Sequence, residues 1–175
     1  WNAPDEQLDA WDEATVFLDL QSMRDQVFKQ SEVLNYVASL QDFLLTTGVV
    51  GKSNSLPDIV KTVYRELMGG ERDYFKIPDS PSGVAQVLLT YQSSHRPDDL
   101  WHFVTPDFKT MSMWVQLKSG DNTDMAKVVE ALGQYMIQNP PPVPMQPEWF
   151  GLTYINVIWQ DKMVSGMLQS FLGSF

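Results

Sequence analysis

From Met163 to Phe175 the chain runs for thirteen residues without a charge (MVSGMLQSFLGSF), and the last charges before it are the adjacent Asp161 and Lys162. Such a run narrows what the end of the chain can become. A helix needs ~20 apolar residues to cross a hydrocarbon core, so this stretch is too short by itself, yet it is still continuing at Phe175. The expectation is a truncated transmembrane helix over residues 156–175. The competing reading is an amphipathic helix docked on its own domain, because Met163, Met167, Phe171 and Phe175 recur every four residues. The other end favours the first reading: neither an initiator methionine nor a signal peptide precedes Trp1, as expected of a fragment of a longer precursor.

A chain of 175 residues with 43% hydrophobic composition can bury one core but not two comfortable ones. The net charge of −10 argues against nucleic acid as a partner, since nothing gathers the twelve basic residues into a phosphate-neutralising row. The same charge opposes adsorption to anionic headgroups. With no cysteine, disulfides, thiolate nucleophiles and zinc–thiolate sites are absent together.

Residues 1–13 are acidic and weakly patterned and read as a leader or linker. One domain is expected over 14–155. Ala14–Leu20 (ATVFLDL) alternates as a half-buried strand does, and Ser31 is placed to cap a helix carrying Leu34, Val37, Ala38, Leu40, Gln41 and Leu44 that ends at Gly48. Val49–Asn54 reads as the second strand. Over 55–107 the period becomes helical: one helix starts at Ser55 with Pro57 and ends at Gly69–Gly70, another follows Ser80–Pro81, and a short one begins near Pro97. Lys109–Lys118 alternates again, with Met111, Met113, Val115 and Leu117 on one face and Trp114 on the other. A helix capped within Asp121–Asp124 and a strand over Trp149–Ile155 complete the order, separated by the proline-rich 139–147. This order predicts an α+β fold, a ferredoxin-like split βαβ sandwich with a helical insertion (55–107) between strands two and three.

Motifs for covalent chemistry are missing. His95 and His102 have no companion at metal-ligand spacing, no serine sits in a nucleophile elbow, and Gly69–Gly70 lacks the lysine of a phosphate loop. Asp98–Asp99 and Asp121–Asp124 read as helix caps, the latter lacking the later glutamate of a calcium loop. The sequence therefore assigns no catalytic, cofactor-binding or metal-binding residue. Nine methionines, nine phenylalanines and six tryptophans suit either a core or a face that accepts apolar ligands of varied shape.

From about Val27 onward the chain resembles the large extracytoplasmic loop of resistance-nodulation-division (RND) transporters, in the exporter branch related to the mycobacterial membrane large proteins. The resemblance is carried by Ser31–Leu45, by Gly48-Val49-Val50-Gly51-Lys52 and by Ser55-Leu56-Pro57-Asp58-Ile59-Val60-Lys61. It continues through Tyr74-Phe75-Lys76-Ile77-Pro78-Asp79-Ser80, Ala85-Gln86-Val87-Leu88-Leu89-Thr90-Tyr91, Pro97-Asp98-Asp99-Leu100 and Gly151-Leu152-Thr153 with Val164–Ser174.

It implies a porter domain on the periplasmic or extracellular side of a bacterial or archaeal membrane, aiding proton-driven export of hydrophobic or amphipathic molecules. The family has two such loops, and a strand directly after a short acidic leader looks more like the second. The implied partners are the remainder of the transporter, with its membrane helices and other loop, and a hydrophobic small molecule or lipid; a homo-oligomer is compatible with the resemblance. No enzymatic activity or cofactor follows from it. Cargo must be held weakly on an apolar, adaptable, partly buried surface, and the expected surface is Trp101, Phe103, Phe108, Met111 and Met113. The alternative is a protein-docking domain that contacts an adaptor or partner loop.

Overall fold

Helix α1, Ser31–Thr46, forms because its apolar residues recur at helical spacing: Val33, Leu34, Val37, Ala38, Leu40 and Leu44 are all buried. The computed structural model describes residues 14–17 and 25–172. After α1 the chain turns at Gly48 into β1, Val50–Asn54, which pairs antiparallel with β2, Trp114–Leu117, in a two-stranded sheet. Between the strands lie α2 (Leu56–Leu67), α3 (Pro81–Gln92) and 3-10 turns at Arg72–Tyr74 and Pro97–His102. Helices α4 (Asn122–Gln138) and α5 (Leu152–Leu172) follow β2. The fold is mixed α and β, mostly helical among the described residues, with one small antiparallel sheet.

The chain divides into two compact units. One comprises the described residues through Asn35 together with Ser55–Met113; the other comprises Tyr36–Asn54 and the chain from Trp114 onward.

In the second unit the ladder places Val50 opposite Leu117, Lys52 opposite Gln116, Ser53 opposite Val115 and Asn54 opposite Trp114, with a register shift between Val50 and Lys52. Gly51 sits at that irregularity, where a Cβ would lie 3.3 Å from the Lys118 side chain, so a larger residue would fit only if that side chain gave way by a few tenths of an ångström. Phe43 and Tyr135 join α1 to α4 with ring centroids 4.7 Å apart, and the Tyr36 hydroxyl donates to the Asn139 carbonyl at 2.9 Å. Helix α4 buries Met125, Val128 and Leu132, and α5 lies against it, with the Asn122 amide donating to Gln160 at 2.9 Å.

In the first unit α2 starts in a capping box. The buried Ser55 side chain accepts from the backbone of Asp58, and the Ser55 N–H donates to the Asp58 carboxylate at 2.8 Å. Gly69 and Gly70, at φ +85° and +82°, end α2, and the Gly70 N–H closes on the Arg65 carbonyl at 2.9 Å. Ser80 caps α3 by accepting from the Gly83 N–H. Val33 and Leu34 from α1 join Leu56, Val60, Ile77, Val84, Val87, Leu88, Leu100, Val104 and Phe108 among this unit's buried apolar residues.

Several sequence expectations need correction. Residues 14–17 of the first expected strand are helical, and 18–20 lie outside the described residues, as does the expected leader over 1–13. The strand expected at Trp149–Ile155 is absent: Gly151, at φ +117°, breaks the chain direction, and the Ile155 N–H bonds to the Gly151 carbonyl as α5 opens. A helix satisfies its own backbone groups, whereas a lone strand there would leave its N–H and C=O groups without partners. The third strand is shorter than Lys109–Lys118, because Lys109 and Thr110 belong to a turn. Ser31 does not cap α1; it is already inside the helix, its hydroxyl is buried without a partner, and the Leu34 N–H bonds to the Gln30 carbonyl.

Two measurements check this account. Ser55→Ala removes one arm of the capping box and should cost about 1 kcal/mol in a urea titration; no change would mean that the box contributes nothing to α2. At the start of α4 the Thr123 hydroxyl and N–H hold the Asp121 carboxyl below its ordinary value, and the Ser119 hydroxyl and Lys127 ammonium do the same for Asp124. A folded pKa below the unfolded one means stability present above about pH 3.9 and lost as pH falls through the folded value. Asp121→Asn keeps a capping residue but removes the titration, so its thermal midpoint should fall less steeply across that acid range than that of the unmodified chain.

Candidate functional site

The segment Thr105–Thr110 is a tight turn whose chemistry is legible in its residues. Pro106 stands at the second position of a turn closed by the Phe108 N–H on the Thr105 carbonyl at 2.8 Å. The Thr105 hydroxyl donates to the Asp107 carboxylate at 2.6 Å, and that carboxylate also accepts the Lys109 N–H at 3.1 Å. These bonds, the Thr105 hydroxyl first, hold the Asp107 carboxyl below its ordinary pKa. Beyond the turn, Val104 and Met111 face each other in an antiparallel bridge flanked by Thr105 N–H to Thr110 carbonyl at 2.9 Å and Ser112 N–H to Phe103 carbonyl at 2.8 Å.

Phe108 occupies the left-handed region at φ +54°, a conformation that costs a side-chain-bearing residue ~1–2 kcal/mol. The surroundings over-determine it. The ring is 3% exposed, Trp101 meets it edge-on with centroids 6.2 Å apart, and the Lys29 ammonium lies 4.3 Å over its face. The Phe108 carbonyl accepts the Phe28 N–H at 3.1 Å, and Lys109 reaches Asp25 at 3.7 Å. Burial of the ring and this cation–π contact, ~0.5–2 kcal/mol, offset the backbone strain. Lys29 is half-buried, and loss of hydration lowers its pKa.

Of the five residues expected to form an apolar surface, Trp101 and Phe108 are brought together. Phe108 is nonetheless a correction, because its ring is part of the core and presents no surface. Trp101 is 38% exposed, while Phe103, Met111 and Met113 are half-buried. The expected alternation around β2 appears in the burial pattern: Trp114 and Gln116 are exposed, and Met113, Val115 and Leu117 are half-buried.

The sequence reading passed over Lys29 and Asp25. No local spacing connects them to Phe108; the one available signal was the Pro106-Asp107 turn dipeptide, which fixes where the chain reverses. His95 and His102 are exposed, and among the described residues no group of three or more His, Asp or Glu side chains is placed to hold a metal ion. Asp99 pairs with Arg96 at 3.1 Å and lies within the 3-10 turn instead of capping it.

No protein-family model, no curated protein and no solved structure matches the chain.

The strain at Phe108 makes a sharp prediction. Phe108→Ala loses the buried ring, about 3–5 kcal/mol, and keeps the unfavourable backbone. Phe108→Gly loses the same ring but relieves the positive φ, so it should be about 1 kcal/mol less destabilising than the alanine variant in chemical denaturation. An alanine variant as stable as the glycine one would contradict the left-handed conformation.

Proposed function

We propose that this chain is an extracytoplasmic porter domain of a proton-driven RND-type exporter, contributing to the outward passage of hydrophobic or amphipathic molecules. The observation that carries this reading is α5. Its 21 residues include only Asp161 and Lys162 as charges, and its large apolar side chains are exposed around the helix, Ile155, Trp159, Val164, Met167 and Leu168 among them. A helix with large apolar side chains exposed on several sides calls for a covering environment, a protein interior or a membrane. Among the described residues no helix is by itself long and apolar enough to cross a membrane; in the proposal, the charge-free segment from Met163 is the beginning of a span that continues in the transporter.

The ferredoxin-like sandwich belongs to the same proposal. The succession α1, β1, β2, α4, with the strands antiparallel and the insertion between them, matches the middle of a split βαβ arrangement, in which the second and third strands are antiparallel neighbours. The other two strands of such a sandwich are not among the described residues. The partners in this reading are the membrane helices and the other loop of the same transporter, and the cargo surface is Trp101, Phe103, Met111 and Met113, with the buried Phe108 ring against Trp101. A second reading, protein docking to an adaptor or partner loop, is favoured by the exposed edge-to-face pair Trp114 and Phe150, with centroids 6.4 Å apart.

Two tests apply. The native reading frame past Phe175 should continue into an apolar stretch of span length; a stop, or a charged soluble sequence, removes the membrane reading. The purified chain should take up a hydrophobic fluorescent dye. Trp101→Ala should lower that uptake several-fold while changing stability by less than about 1 kcal/mol, as for a partly exposed side chain. Uptake that is absent, or unchanged per folded molecule in the variant, would favour docking.

A further inference from the structure

We propose that Lys29, set over the Phe108 ring that Trp101 also meets, is the headgroup anchor of a site for anionic amphiphiles. The inference rests on the cargo-surface reading above and adds the chemical class of the ligand.

The geometry begins with the 3-10 turn Val27–Lys29, which holds the Lys29 ammonium 4.3 Å above the Phe108 centroid. Phe108 is the buried floor, and Trp101, edge-on to it, is the exposed aromatic wall. One side of the ammonium is thus turned to an apolar ring, which does not neutralise it. Among the described residues Lys29 enters no ion pair, whereas the neighbouring cation Lys109 is matched to Asp25 at 3.7 Å. In a chain with 22 acidic and 12 basic residues, a partly desolvated ammonium with no carboxylate paired to it among the described residues is a local reversal of the overall sign. Desolvation strengthens its attraction for an anion that reaches it with an apolar tail attached, because the tail meets the Trp101 ring instead of water. A cationic or uncharged head would leave the ammonium uncompensated, and a free anion without a tail would gain nothing from the aromatic wall.

The net charge of −10 turns this into a demanding test, since the field of the whole chain attracts cationic amphiphiles and repels anionic ones. Calorimetric titration of the intact chain should compare dodecanoate, dodecanol and dodecyltrimethylammonium below their micelle-forming concentrations, at slightly alkaline pH and matched salt. Dodecanoate should bind about tenfold more tightly than dodecanol, the size expected of a hydrogen bond between charged groups, and dodecyltrimethylammonium least tightly. Lys29→Met should bring dodecanoate down to the affinity of dodecanol while leaving dodecanol unchanged. Lys29→Arg should keep the preference, and Trp101→Ala should weaken all three probes. If the probes bind with no preference for the anion, or if the preference survives Lys29→Met in a variant with an unchanged thermal midpoint, the anchor is overturned and the cargo surface stands. If none of the three binds, both fall. Should Lys29→Met fail to fold, the order of the three probes on the unmodified chain still decides.

Discussion

The pairing of Asn54 with Trp114 at one end of the β1–β2 ladder is the constraint on which the architecture depends. It fixes the exit and the return of the long insertion at neighbouring backbone positions, so the residues between them must find their own buried set. They do so with Leu56, Val60, Val84, Val87, Leu88 and Leu100. Closing a loop of this length costs only slightly more than closing one half as long, since the entropy grows with the logarithm of length. A short ladder can therefore carry a large helical insertion, provided that the insertion supplies its own core.

Inside the insertion the same logic applies at a single residue. The turn at Thr105–Thr110 is satisfied by its own side chains, but it delivers Phe108 in a backbone state that glycine would occupy more cheaply. What keeps phenylalanine there is everything around the ring: the edge of Trp101, the ammonium of Lys29 and the Phe28 N–H on its carbonyl. The cost is local and the compensation is long-range. This is the physical reason that one buried residue organises the exposed ones beside it.

That division also explains what could be read in the sequence. Features set by neighbours in the chain were legible: the cap at Ser55, the end of α2 at Gly69 and Gly70, the start of α3 at Ser80–Pro81, the helix after Asp121 and the strand expected at Val49–Asn54, which is observed at Val50–Asn54. Features set by distant partners were not. The alternation in residues 14–17 and the aromatic run after Trp149 satisfied a strand pattern, yet short apolar runs fit either period, and the choice falls to whatever pairs with their backbone. At the candidate site, Trp101, Phe103, Phe108, Met111 and Met113 were expected at a surface because they are large and apolar. The burial of Phe108 and the arrival of Lys29 from 79 positions earlier follow from tertiary packing alone.

A sheet of two strands has no interior strand. Among the described residues no third strand pairs with β1 or β2, so each leaves an outer side as a template on which another extended segment could add. The chain blunts that hazard with what it has: Lys52 and Lys118 are exposed at the ladder, the Lys118 ammonium is tied to the Gly48 carbonyl at 2.8 Å, and the irregularity at Gly51 interrupts the regular spacing of one edge. These two lysines and one glycine thus act on solubility more than on the stability of the folded chain. Replacing either lysine with an apolar β-former would leave the ladder intact while removing a charge that discourages fibrous self-association.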